Sequence, residues 1–162
     1  MPKKRIRYWR NTMKKTALGC LALLLLCVFP LSAVAEKRII GKVKGLRGLV
    51  SILRDGRTEP AFPNDEIYQS DTILTGSDGA IGILLEDNTL ISMGPIGRIS
   101  MDKFQFTPSR NEYELRLHMM HGTFIYQSGL LGKLAPHAVE LQTPVGRISM
   151  LKDTSFKAKF TE

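Results

Sequence analysis

From Arg38 onward, apolar side chains recur at every second position of this chain and hardly anywhere at helical spacing. Period two belongs to a strand with one face buried, because successive side chains leave opposite faces of a sheet. EYELRLHM sets Tyr113, Leu115, Leu117 and Met119 against Glu112, Glu114, Arg116 and His118. AVELQT places Val139 and Leu141 against Glu140 and Gln142, and SFKAKF places Phe156, Ala158 and Phe160 against Lys157 and Lys159. GLVSIL around Val50 and AIGILL around Ile83 read as strands buried on both faces. Residues that favour tight turns punctuate these runs: Asp55-Gly56, Ser77-Asp78-Gly79, Asp87-Asn88, His121-Gly122 and Ser128-Gly129. Pro108–Asn111 and Gly129–Pro136 read as longer loops. Short strands with frequent turns predict an all-β fold, here one domain over residues 36–162 in a twisted solenoid-like or sandwich-like arrangement.

The first 35 residues stand apart from this pattern. Seven cations and no acid precede an apolar run from Ala17 to Phe29, then Pro30 and Ala33-Val34-Ala35. This is the layout of a signal peptide, with cleavage expected before Glu36 and residence in the periplasm or outside the cell. The alternative is an uncleaved anchor over Thr16–Val34, in which case the membrane is touched only through this segment. Gly19-Cys20 and Leu26-Cys27 are poorly placed for lipidation. With the leader go both cysteines and seven of the 23 basic residues, leaving 16 against 15 acids. A mature chain so nearly neutral gives no reason to expect a nucleic-acid partner. Without cysteine it makes neither disulfides nor thiolate metal sites.

Two stretches nearly coincide: GPIGRISM from Gly94 and TPVGRISM from Thr143 share six of eight positions. In each, proline precedes a glycine that feeds a strand, so Pro95, Gly97, Pro144 and Gly146 read as turn residues. Alternation then buries Ile99, Met101, Ile148 and Met150 and exposes Arg98, Ser100, Arg147 and Ser149. Stacked layers of a solenoid would make the two copies equivalent and bring both arginines to one outer face. There they would grip a partner's carboxylates bidentately, or pair with Glu112, Glu114 or Glu140 of this chain.

VKGLRGLVSILRDG, NDEIYQSDTILTGSDGAIGILLEDNTLISMGPIGRISM, HGTFIYQSG and VELQTPVGRISM together resemble a FecR-type domain over almost the whole mature chain. The resemblance rests on a Gly-x-Val opening strand, Asp-x-Ile-x-Thr-Gly at Asp71–Gly76, a degenerate Leu-x-Asp-x-Thr-x-Leu at Leu85–Ile91, and Thr-Pro-x-Gly at Thr143–Gly146. It implies an exported β-rich module with a solenoid-like core that works by contacting other proteins of the envelope. In the family's iron-uptake regulators, the domain follows a transmembrane helix and relays a receptor's state to a cytoplasmic segment that binds a sigma factor. Only fifteen residues precede the apolar segment that opens at Thr16, too few for that cytoplasmic part. Asn88 stands where the family usually has Gly, and Asn tolerates the left-handed conformation. Lys152-Asp153-Thr154 replaces the frequent Arg-Gly-Thr.

Asp71, Thr75, Gly76, Asp87 and Asn88 read as turn-forming residues, the carboxylates capping nearby backbone donors. The chain has no Gly-x-Ser-x-Gly elbow, His-Glu-x-x-His helix or phosphate loop, so no enzyme activity and no cofactor are expected. His118-Met119-Met120-His121 is the one cluster with copper-like donors. On a regular strand, however, His118 and His121 face opposite sides, so no metal site is expected. A small-ligand module of the envelope, binding carbohydrate or copper, is the alternative reading. Carbohydrate would call for an aromatic platform, and the only tryptophan, Trp9, lies in the leader.

Overall fold

The computed structural model describes residues 37–149 and 154–161. The expected leader and cleavage position, Met150 and Lys152-Asp153 lie outside the described residues. Twelve strands form one curled, almost wholly antiparallel sheet: β1 (Ile39–Arg47), β2 (Val50–Arg54), β3 (Arg57–Pro60), β4 (Glu66–Tyr68), β5 (Thr72–Thr75), β6 (Ala80–Leu85), β7 (Leu90–Met93), β8 (Arg98–Thr107), β9 (Glu112–Gln127), β10 (Val139–Thr143), β11 (Gly146–Ser149) and β12 (Ser155–Phe160). Among the described residues, one five-residue α-helix, α1 (Leu130–Leu134), falls where a loop was expected.

Chain connectivity forces the curl. The sheet path runs β3-β2-β5-β8-β9-β7-β6-β1-β4, so β4 and β5 lie six positions apart. Laid flat, that is about 29 Å at the usual strand spacing. Yet Tyr68 ends β4 and Thr72 begins β5, and four residue steps reach only about 14 Å. The sheet must bend until its far strands approach each other. Backbone bonds seal the approach, with Ser70 N–H donating to Met101 O at 2.8 Å and Met101 N–H to Asp71 O at 2.9 Å.

β9 makes the bend. Its first half lies between β8 and the parallel β10, its second between β7 and β12. Between the halves the register slips: Ile99 faces Met119 while Arg98 faces His121, leaving Met120 as the extra residue of a bulge. A bulge inverts the alternation beyond it. Leu115, Leu117 and Met119 are buried before it, Phe124 and Tyr126 after it. Gly122 holds φ +109° there, with its Cα side so close to Gly97 that a Cβ would stand 2.6 Å from the Gly97 Cα. The turn expected at His121-Gly122 is therefore a bulge within one sixteen-residue strand. A second slip makes Asp102 the extra residue of β8.

The two half-sheets share one core. Ile40, Val43, Ile83, Ile91 and Phe124 from one meet Ile73, Ile99, Phe104, Leu117 and Leu141 from the other. The all-β expectation thus holds, in the form of one curled antiparallel sheet, a half-barrel. A solenoid needs successive parallel rungs, and only β9 with β10 pairs in parallel. β2 and β6 were expected to be buried on both faces. Instead they alternate buried with half-buried residues, because only their inner face is covered.

The repeated word has two different structures. In the first copy Ile99 and Met101 are fully buried, and Arg98 and Ser100 are half-exposed. In the second, residues 146 to 149 are all exposed. Ile148 is 37% exposed, which corrects its assignment to the core. The reason is position. β8 lies between β5 and β9, whereas β11 pairs with β10 alone.

Candidate functional site

The Asp-x-Ile-x-Thr-Gly string sits where the curled sheet meets itself. Asp71, 1% exposed, accepts from Arg54 Nε at 2.8 Å and Arg54 Nη2 at 2.7 Å, and from the Tyr68 N–H at 2.8 Å. Arg54 Nη2 also reaches Glu66 O at 2.9 Å, and the guanidinium lies 4.4 Å from the centre of the Tyr68 ring. One bidentate pair thus ties the end of β2 to the turn between β4 and β5. The bond to Asp71 raises the Arg54 pKa above its ordinary value. Tyr68 is likewise raised, first by donating its hydroxyl to Glu66 Oε2 at 2.5 Å.

Four residues on, the Thr75 hydroxyl donates to Gly94 O and accepts from Gly97 N–H, each at 2.7 Å. Gly76 O accepts from Ile96 N–H at 3.0 Å. Thr75 and Gly76 therefore hold both ends of the Pro95-Ile96 tip, where Ile96 takes φ 49°. A Cβ on Gly97 would meet Met93 Cγ at 2.5 Å, so a side chain there would have to displace the buried Met93.

Asp87 is fully buried and accepts from Thr89 N–H at 3.0 Å, Thr89 Oγ1 at 2.7 Å and Leu131 N–H at 3.0 Å. Asn88 supplies the left-handed residue of the turn, at φ 67°. The carboxylate joins the β6–β7 turn to the start of α1, which the sequence reading placed in a loop.

Arg98 and Arg147 do share an outer face, since paired residues point the same way: Arg98 with His121, Ser100 with His118, His118 with Gln142 and Gln142 with Arg147. They are not stacked, because β9 and β10 lie between their strands. Arg147 Nε pairs with Glu140 Oε1 at 2.9 Å, and Arg116 Nη2 with Glu114 Oε1 at 2.7 Å. Buried Arg98 Nε has no hydrogen-bond partner among the described residues. In the second copy, Pro144 and Val145 form the tip of a hairpin closed by Thr143 Oγ1 donating to Gly146 O at 2.7 Å.

The bulge also corrects the placement of the histidines. It turns His118 and His121 to the same outer face, not to opposite ones. His121 Nδ1 lies 2.8 Å from Ile96 O. Among the described residues, no group of three or more His, Cys, Asp or Glu could hold a metal ion. His121 is the cross-strand register partner of Arg98.

Arg54 and Tyr68 carry the most bonded polar cluster, and the sequence reading did not single them out. They also line an open groove of about 470 Å³ with Ile52 and Phe62. The Asp-Gly hairpin after Arg54 was the only local signal, and it says nothing of a partner 17 residues away.

No family model matches the chain, and no curated protein matches it. A solved structure described as a cell surface anchoring domain is similar over 40% of this chain and 87% of that chain, at 27% identity and a TM-score of 0.39. A likeness at that score carries no argument about this chain.

Proposed function

We propose that this chain is an exported, non-enzymatic FecR-like module that works by binding another protein of the cell envelope. The observation that carries the reading is how the fold uses its most distinctive polar residues. Asp71, Thr75 and Asp87 each direct their side-chain oxygens at backbone donors or at a neighbouring side chain that closes a turn. Their work is to hold a curled sheet whose outer surfaces are left to contact. Large apolar side chains stand on those surfaces, with Ile96 63%, Ile125 48% and Val145 85% exposed. The leader supports export.

Crosslinking in intact cells, followed by capture of the full chain from the envelope fraction, tests the reading. One defined protein recovered in stoichiometric amount is expected. Recovery of the chain alone, with tight copper binding that depends on His118 and His121, replaces the reading with the small-ligand one.

A further inference from the structure

The outer faces of the two half-sheets differ in how their charge is balanced. On the β8–β11 side, cations and acids alternate and pair with each other, as Arg147 with Glu140 and Arg116 with Glu114 show. The face formed by β1, β6, β7, β9 and β12 has no such balance. One row across it runs Gly45, Gly82, Ser92, Ile125 and Lys157. The next runs Lys42, Leu84, Leu90, Gln127 and Ser155. The three central strands thus present an uncharged, partly apolar floor, and glycine and serine leave a shallow trough of about 400 Å³ in it.

Both margins of this floor are cationic. β1 carries Lys42, Lys44 and Arg47, and β12 carries Lys157 and Lys159, all exposed. None of the five makes an ion pair among the described residues. The nearest acids lie outside the floor: Glu66 on β4, the direct cross-strand neighbour of Lys42, accepting from the Tyr68 hydroxyl, then Glu86 after β6, and Asp78 before it, the last accepting from Leu49 N–H at 3.1 Å; Lys44 and Arg47 are the β1 cations with no acid opposite them.

We propose, resting on the protein-binding reading, that this face docks an amphipathic helix of a partner with an apolar stripe and acidic residues along both flanks. The dimensions fit. Four strand spacings separate the margins, about 19 Å. A helix is about 10–12 Å across with its side chains, which leaves each flank within reach of long basic stems. Lys42 to Arg47 spans about 17 Å along the strand, the length of a helix of about 11 residues. A half-covered sheet commonly buries its second face under a helix. The chain's own segments do not suit. Its leader carries seven cations, which this face repels. The one α-helix among the described residues, α1, carries Lys133 and no acid.

The test uses the full chain and a designed 14-residue helical peptide with a leucine stripe flanked by glutamates, its lysine-flanked twin, and phosphatidylglycerol vesicles. Anisotropy titrations should show the glutamate peptide binding, weakening as salt rises. Affinity should fall about tenfold or more in Lys44→Glu/Arg47→Glu and equally in Lys157→Glu/Lys159→Glu, since each reversal replaces an attraction with a repulsion. These exposed positions leave the fold intact, checked by an unchanged melting temperature. Equal binding of the two peptides, or binding indifferent to either reversal, overturns the docking site. Vesicle binding abolished by the reversals, with no peptide binding, overturns it in favour of a membrane contact. The broader reading is judged separately: a crosslinked envelope partner retained by both reversal variants keeps it while the docking site fails.

Discussion

Truncating the isoleucine of each copy of the repeated word separates position from sequence. Ile99 is fully buried, with Ile73 on one side and Met119 on the other. Ile99→Ala removes three carbons at about 0.8 kcal/mol each. A closed site adds a cavity penalty, bringing the loss to about 3–4 kcal/mol. Ile148 pairs only with Leu141 and is 37% exposed. Water fills the space left by Ile148→Ala, so no cavity penalty applies and the loss is about 1 kcal/mol. Urea unfolding followed by circular dichroism reads both, and at a shared slope of about 1.5 kcal/mol per molar the midpoints differ by about 1.5 M. Equal losses would refute the reasoning, since they would require β11 to be packed as β8 is.

The Arg54–Asp71 pair should behave as a unit. Asp71→Ala loses about 2–4 kcal/mol, and adding Arg54→Met loses at least about 1 kcal/mol less than the sum of the single changes, as a double-mutant cycle reads. Gly122→Ala should lower stability by about 3 kcal/mol or more, combining left-handed strain with a contact on Gly97, against about 1 kcal/mol for Gly146→Ala in open space, measured by thermal unfolding. Tyr68 should ionise at higher pH than its ordinary value in an ultraviolet titration, and Glu66→Gln should lower it. Because the folded pKa is the raised one, its bond to Glu66 supports the fold below about pH 10 and is lost as pH rises through the folded value.

Alternation made β10, β12 and the first half of β9 legible, since each keeps one phase from end to end. What escaped is whatever changes phase or depends on distant neighbours. The bulge at Met120 adds one residue, so Phe124 and Tyr126 point inward although they fall on the opposite count from Leu117. Gly122 marked the place, but glycine signals a bulge and a turn alike. α1 holds five residues, too few to show a helical period. The second repeated copy misled because local pattern reports which way a side chain points, not whether another strand covers it. Asp71 and Asp87 announced themselves as turn residues. Their partners Arg54 and Leu131, 17 and 44 residues away, are fixed by the curl alone.

Charge follows the same logic. Residues 36–162 sum to nearly zero, which argues against a positive field only if the charges are mixed in space. Pairing β12 and β1 with opposite sides of one uncharged floor separates them, although Lys42 and Lys157 are far apart in the chain. Part of the arrangement has a structural cause. β12 pairs with β9 alone, and lysines on an open edge discourage other strands from adding to it. That cause does not reach Lys42 and Arg47, because β1 lies between β4 and β6 with both its edges paired. Edge protection thus explains one margin of the floor; on the other, Lys42 faces Glu66 across the β1–β4 pair, and Lys44 and Arg47 are the cations that the proposed acidic flank would meet.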